Sequence, residues 1–115
     1  MAPSIVFLRA ASLLIVATAS WLSLAPNPPR APEGVAISDL VVHFLMHFGM
    51  AGSLLLGWPD RRTVWIVIAL AAGLEIAQLG IPGREFDLRD MAANFSGAAV
   101  AGALLALSGR RRARG

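Results

Sequence analysis

The sequence predicts an all-α polytopic membrane protein, with four transmembrane helices in a compact bundle and both termini cytoplasmic. Three observations carry this reading. Apolar residues make up 57% of the 115-residue chain and charged residues only 15%, with a mean hydropathy of +0.67. Ordinary soluble domains run nearer ~45–50% apolar and ~25% charged. Four apolar stretches of spanning length follow one another, and each is separated from the next by turn-forming residues. None of the seven prolines falls inside a stretch, as expected of residues that interrupt helices.

The first stretch, about residues 4–24, is interrupted only by Arg9. Ala17-Thr18-Ala19 resembles a signal-peptide cleavage site, but a single arginine makes a weak positive flank and the apolar run continues past it. It is therefore read as a retained helix. Pro26, Pro28, Pro29, Pro32 and Gly34 fill the connection that follows. The second stretch, about 39–58, contains His43 and His47, and Ser38 or Asp39 can cap it. Pro59 and Asp60 open a short link to the third stretch, about 63–79, which contains Glu75 and Gln78. Pro82 and Gly83 mark the third link. The fourth stretch, about 90–108, contains Asn94, with Asp87 or Asp90 as its cap and a basic tail over 109–115. Each run is near the ~20 residues that a spanning helix needs, and in lipid a helix satisfies its own backbone. The whole of 1–115 reads as one membrane domain without internal repeats.

Arginine placement sets the orientation. With the N-terminus inside, Arg9, Arg61, Arg62, Arg110, Arg111, Arg112 and Arg114 lie on the inner side, and only Arg30, Arg84 and Arg89 lie outside. The acids segregate the other way. Asp60 alone is inside, while Glu33, Asp39, Glu75, Glu85, Asp87 and Asp90 fall outside or in the outer half. Trp21, Trp58 and Trp65 fall near span ends, where aromatic belts form. The expected location is the bacterial cytoplasmic membrane. The basic tail is read as an anchor near anionic lipid, and no nucleic-acid partner is expected.

Polar side chains within a span are costly in lipid and turn toward the bundle interior. At ~1.5 Å per residue, His43, Glu75 and Asn94 each lie ~6–8 Å below the outer ends of three different helices. Asp39, His43 and His47 share one helix face, and Glu75 and Gln78 share another. Asp87, Asp90, Asn94, Gly97 and Ala101 form a stripe on the fourth helix. Gly97 with Ala101, and Ala98 with Gly102, are small-residue pairs that permit close helix packing. Arg84 can contact a carboxylate or phosphate in bidentate fashion, with Glu75, Asp87 and Asp90 as internal partners. His43 is read either as a histidine bonded to Asp39 or a carbonyl, or as a proton-transfer group. Glu75 is read either as an ion-pair partner of Arg84 or His43, or as a functional carboxylate. Asn94 and Gln78 suit interhelical hydrogen bonds, and Asp87 and Asp90 suit caps. A metal reading would combine His43, His47 and Glu75, but His47 lies too deep to join. No metal or cofactor is therefore expected. The absence of cysteine and lysine excludes thiolate, Schiff-base and P-loop chemistry.

The order Asp39…His43-Phe44, Glu75…Gln78…Pro82-Gly83-Arg84 and Asp87…Asp90…Asn94…Gly97 resembles the VanZ-like family of small bacterial membrane proteins, over about residues 39–102. The family's Asp-Lys pair stands here as Asp39-Leu40, and Phe48 fits its following aromatic. The resemblance implies a membrane protein with a polar outer-leaflet site, and the family's namesake is associated with glycopeptide resistance. It supplies no reaction. The favoured expectation is a non-enzymatic role in envelope function or resistance, with Asp39, His43, Glu75, Gln78, Arg84, Asp87, Asp90 and Asn94 binding an amphiphile or lipid headgroup. Two alternatives stand beside it. One is a small accessory subunit of a larger respiratory or photosynthetic membrane complex. The other is an intramembrane enzyme using Glu75 and His43. Membrane lipids are the expected partners, together with a larger complex or further copies of the chain.

Overall fold

The computed structural model describes residues 2–26 and 38–114, with side chains as far as 111. Within this range α1 is Ile5–Leu24, α2 Asp39–Gly57, α3 Arg61–Ala77 and α4 Leu88–Arg114. A short 3₁₀ turn, Gln78–Gly80, extends α3. All four helices are long and apolar enough to cross a membrane. Pro28, Pro29, Arg30, Pro32, Glu33 and Gly34 lie outside the described residues, as do the side chains of Arg112 and Arg114.

The helix starts follow local hydrogen-bonding chemistry. Ser4 Oγ accepts from the Phe7 N–H at 3.1 Å, and Ser38 Oγ from Leu40 at 3.2 Å. Asp60 Oδ1 accepts both the Thr63 N–H, at 3.0 Å, and the Thr63 hydroxyl, at 3.2 Å. That cap starts α3 at Arg61, two residues earlier than the apolar pattern predicts. Asp87 caps α4 in the same way, its Oδ1 accepting from Arg89 at 2.8 Å, so α4 begins before Asp90. At its other end α4 runs through the basic tail rather than stopping at 108. Arginine is a good helix former, and its charge suits the negative end of the helix dipole.

The surface is apolar and the interior is small and polar. Val6, Leu14 and Trp65 are at least two-thirds exposed. Ser12, Ser23, His47, Thr63, Glu75, Gln78 and Asn94 are all buried. In water such a surface would drive aggregation. In lipid it is the favoured arrangement, because apolar side chains lose nothing there while polar ones need partners.

α2 and α4 are the most extensively packed pair. They run in the same direction, with Phe44 against Gly97, Gly52 against Ala101 and Leu55 against Gly102. Lipid provides no hydrophobic force between helices, so close backbone approach supplies the contact. Gly97 makes the tightest approach. A Cβ there would lie 2.9 Å from the Phe44 carbonyl carbon, 3.0 Å from the Phe48 nitrogen and closer still to the Phe44 oxygen. Ala101 is buried within the apolar cluster of Ala51, Leu54, Val67 and Ala98. Gly102 differs from the expectation, since its nearest neighbour, Leu55 Cδ1, would stand 3.9 Å from an added Cβ, an ordinary contact.

Two arginines tie helix ends. Arg9 of α1 donates from Nε to the Gly57 carbonyl at 2.9 Å and lies 5.3 Å from the Trp58 ring centroid. At the opposite end of the bundle, Arg84 donates from Nε to the Ala25 carbonyl at 2.8 Å and from Nη2 to the Leu22 carbonyl. Each satisfies carbonyls that a helix C-terminus leaves without partners, and each places a positive charge at the negative end of the helix dipole.

Candidate functional site

The polar residues of α2, α3 and α4 meet at the end of the bundle that carries Arg84. His43 Nδ1 and Asn94 Oδ1 are 2.9 Å apart. Asn94 Nδ2 donates to the Ala71 carbonyl at 3.1 Å, which turns Oδ1 toward the imidazole. An amide oxygen only accepts, so His43 Nδ1 carries a proton. The other ring nitrogen, Nε2, lies 3.5 Å from Asp90 Oδ2. Glu75 Oε2 lies 4.0 Å from His43 Nδ1.

Glu75 is fixed from above by the loop that leads into α4. Its Oε1 accepts the Asp87 N–H at 2.9 Å. Its Oε2 has no hydrogen-bond partner among the described residues, although the residue is only 1% exposed. The side chains of His43 and Asp90 are 16% and 18% exposed, so the cluster opens at the end of the bundle and closes at Glu75 and Asn94. One ligand atom from each of His43, Glu75 and Asp90 falls within 4.8 Å of the others.

The remaining sequence candidates are placed differently. Asp39, on the face of His43, is exposed and stands outside the close contacts of the cluster. Gln78 is buried but faces α1, donating from Nε2 to the Ser23 carbonyl at 2.9 Å. Asp87 is the cap of α4, and its Oδ2 pairs with Arg89 Nη2 at 3.3 Å. The Arg89 backbone N–H, then its guanidinium, hold the Asp87 carboxyl below its ordinary 3.8. Arg84 corrects the sequence reading. It meets none of Glu75, Asp87 and Asp90, because its guanidinium is engaged with the carbonyls at the end of α1. His43 bonds to an amide side chain rather than to Asp39 or a carbonyl. Asp90 is not the cap of α4; it faces the imidazole. His47 is buried a turn below and stays out of the group, so the carboxylate of Asp90 takes the place it had in the triad considered from sequence.

Sequence reasoning missed the capping roles of Arg9, Asp60 and Arg84. The signal was present for Asp60, which stands immediately before a helix with a hydroxyl residue at the third helical position.

A bundle of four span-capable helices with a polar cluster at one end defines a multi-pass membrane protein. The chain belongs to the VanZ/LLP1 family, whose profile matches residues 7–109, nearly the whole chain. That range adds α1 to the part of the chain over which the motifs show the resemblance. No curated protein and no solved structure matches it.

Proposed function

We propose that the protein binds the polar head of an amphiphile at the outer leaflet of the bacterial cytoplasmic membrane, in a non-enzymatic role in envelope function or glycopeptide-type resistance. Both termini are then cytoplasmic, and the cluster of His43, Glu75, Asp90 and Asn94 faces outward. The observation that carries this reading is the unpartnered, buried Oε2 of Glu75 beneath a half-open mouth formed by His43 and Asp90. A buried carboxylate oxygen without a donor is costly. It is a receptor for a polar group that the protein does not itself supply. Intramembrane carboxylates mark functional sites for this reason.

Arg84 now belongs to the scaffold, so the site residues are His43, Glu75, Asp90 and Asn94. The test compares glycopeptide sensitivity and co-purifying lipid in cells carrying wild type, His43→Gln and Glu75→Gln, at matched protein level. Loss of both the phenotype and the retained lipid in the two variants is the expected result. Wild-type behaviour in both variants would overturn the reading.

A second reading, an intramembrane acid–base enzyme, draws support from the 3.5 Å approach of His43 Nε2 to Asp90. It requires a proton path within ~2.6–3.2 Å or through one water. It predicts that purified protein chemically alters the lipid it retains, which mass spectrometry of that lipid distinguishes from simple binding.

A further inference from the structure

We propose that His43, Glu75 and Asp90 form a binding site for one divalent transition-metal ion of the zinc or manganese kind. The proposal goes beyond the headgroup reading and stands without it.

The donor set is chemically suitable. One imidazole and two carboxylates are ligands that zinc, manganese and iron share. One ligand atom from each of the three residues lies within 4.8 Å of the others, and His43 Nε2 and Asp90 Oδ2 are 3.5 Å apart. Ligands bound at ~2.0–2.2 Å around a tetrahedral ion stand ~3.4 Å from one another. Small side-chain rotations close the remaining gap. Direct hydrogen bonds would need shorter distances than these.

The imidazole is oriented as a metal ligand would be. Asn94 Oδ1 accepts the Nδ1 proton, and the Ala71 carbonyl fixes the Asn94 amide in turn. With Nδ1 turned to Asn94, Nε2 is the ring nitrogen on the Asp90 side. Metal-ligating histidines are commonly oriented in this manner, with the far nitrogen donating to an oxygen that fixes the tautomer.

Glu75 supplies the independent observation. It is 1% exposed, and its Oε2 has no partner among the described residues. The nearer ring nitrogen, 4.0 Å away, is already turned to Asn94. Two carboxylates brought together in a low-dielectric setting are costly to ionise unless a cation pairs with them. Arg84, the nearby cation that the sequence offered, is engaged with α1. A divalent ion neutralises the pair and gives Oε2 its missing partner. The part-exposed edges of His43 and Asp90 leave an entry route and room for ligands from outside, among them a phosphate oxygen of a lipid head.

The test uses the full chain in detergent without a polyhistidine tag and with Zn²⁺ alone as the probe. Calorimetry and elemental analysis after desalting should give one Zn²⁺ per chain. Co²⁺ substitution should give visible ligand-field bands. Asp90→Asn sits at the rim and preserves shape, and it should weaken Zn²⁺ binding at least ~10-fold. Asn94→Leu should weaken it ~10–100-fold through loss of imidazole orientation. Asp39→Asn should bind as wild type does. The proposal is overturned if wild type binds Zn²⁺ no more tightly than an Asp90→Asn/Glu75→Gln double variant, or if Asp90→Asn and His43→Gln both bind as wild type. The assay reads Zn²⁺ alone, so its failure leaves the headgroup reading to the resistance and lipid-retention measurements.

Discussion

Gly97 lies against the carbonyl of Phe44, so closely that no side chain fits between α4 and α2. His43 immediately precedes Phe44 on α2 and Asn94 stands one turn before Gly97 on α4, so this contact holds His43 within 2.9 Å of Asn94. Gly97→Ala must push the two helices apart, since the obstacle is backbone and cannot rotate away. Overpacking of this kind costs about 1–3 kcal/mol. The thermal midpoint in detergent should fall, and any property that depends on the His43–Asn94 pair should fall with it. Gly73→Ala is the control. Nothing lies within 4 Å of a Cβ at that exposed helical position. Removing a glycine from a helix interior there should raise stability by about 0.5–1 kcal/mol.

Asn94 joins three helices, with one contact to His43 and one to the Ala71 carbonyl. Leucine shares the branched outline of asparagine, is somewhat larger, and removes both contacts. Interhelical hydrogen bonds in membrane proteins contribute about 1–2 kcal/mol at most, so Asn94→Leu should fold but unfold at lower temperature. Nitrogen NMR of the imidazole offers a sharper readout. Wild type should show a single tautomer with the proton on Nδ1, and the variant a mixture. A mixture already present in wild type would contradict the assigned hydrogen bond.

The spans and the shared depth of His43, Glu75 and Asn94 were legible because a helix rises by a constant amount per residue and apolar length is set by the bilayer. Partner choice was not. Arg84 stands in a loop beside three acids, so charge alone pairs it with a carboxylate. Its actual partners, Leu22 and Ala25, are distant in sequence and offer only backbone oxygens, which no residue pattern advertises. Asp90 was read as a cap because Asp87 and Asp90 are equally good capping residues. Which of them starts the helix depends on how the loop over Glu75 closes.

Arg84 provides the clearest separation of scaffold from site. Its two contacts complete the C-terminus of α1, and hydrogen bonds from a charged donor contribute about 1.5–3 kcal/mol. Arg84→Gln should lower the unfolding midpoint, and Arg84→Lys should recover part of the loss, since an ammonium cannot span both carbonyls in the planar geometry of a guanidinium. Ligand or ion binding by the protein that remains folded should stay near wild type. A selective loss of binding without loss of stability would return Arg84 to the site.

Asp60 carries a pH dependence that can be isolated at the opposite end of the bundle. Its carboxyl is held below its ordinary 3.8, chiefly by the Thr63 N–H, which outweighs the opposing effect of burial, and further by the Thr63 hydroxyl and the Arg62 backbone and charge. The sign follows from linkage. A carboxyl with a depressed folded pKa adds stability above its unfolded value, and that contribution is lost as pH falls through the lower folded value. Asparagine caps a helix nearly as well as aspartate does, so Asp60→Asn removes the charge while retaining the acceptor. Wild type should therefore be more stable than Asp60→Asn at neutral pH, and the difference should shrink toward zero as pH drops below 3.8. Thermal unfolding of both proteins in the same non-ionic detergent, followed from pH 6 to pH 2, reads this directly, because every other carboxylate cancels in the comparison. A difference that stays constant across that range would show that the Asp60 charge does not stabilise the start of α3.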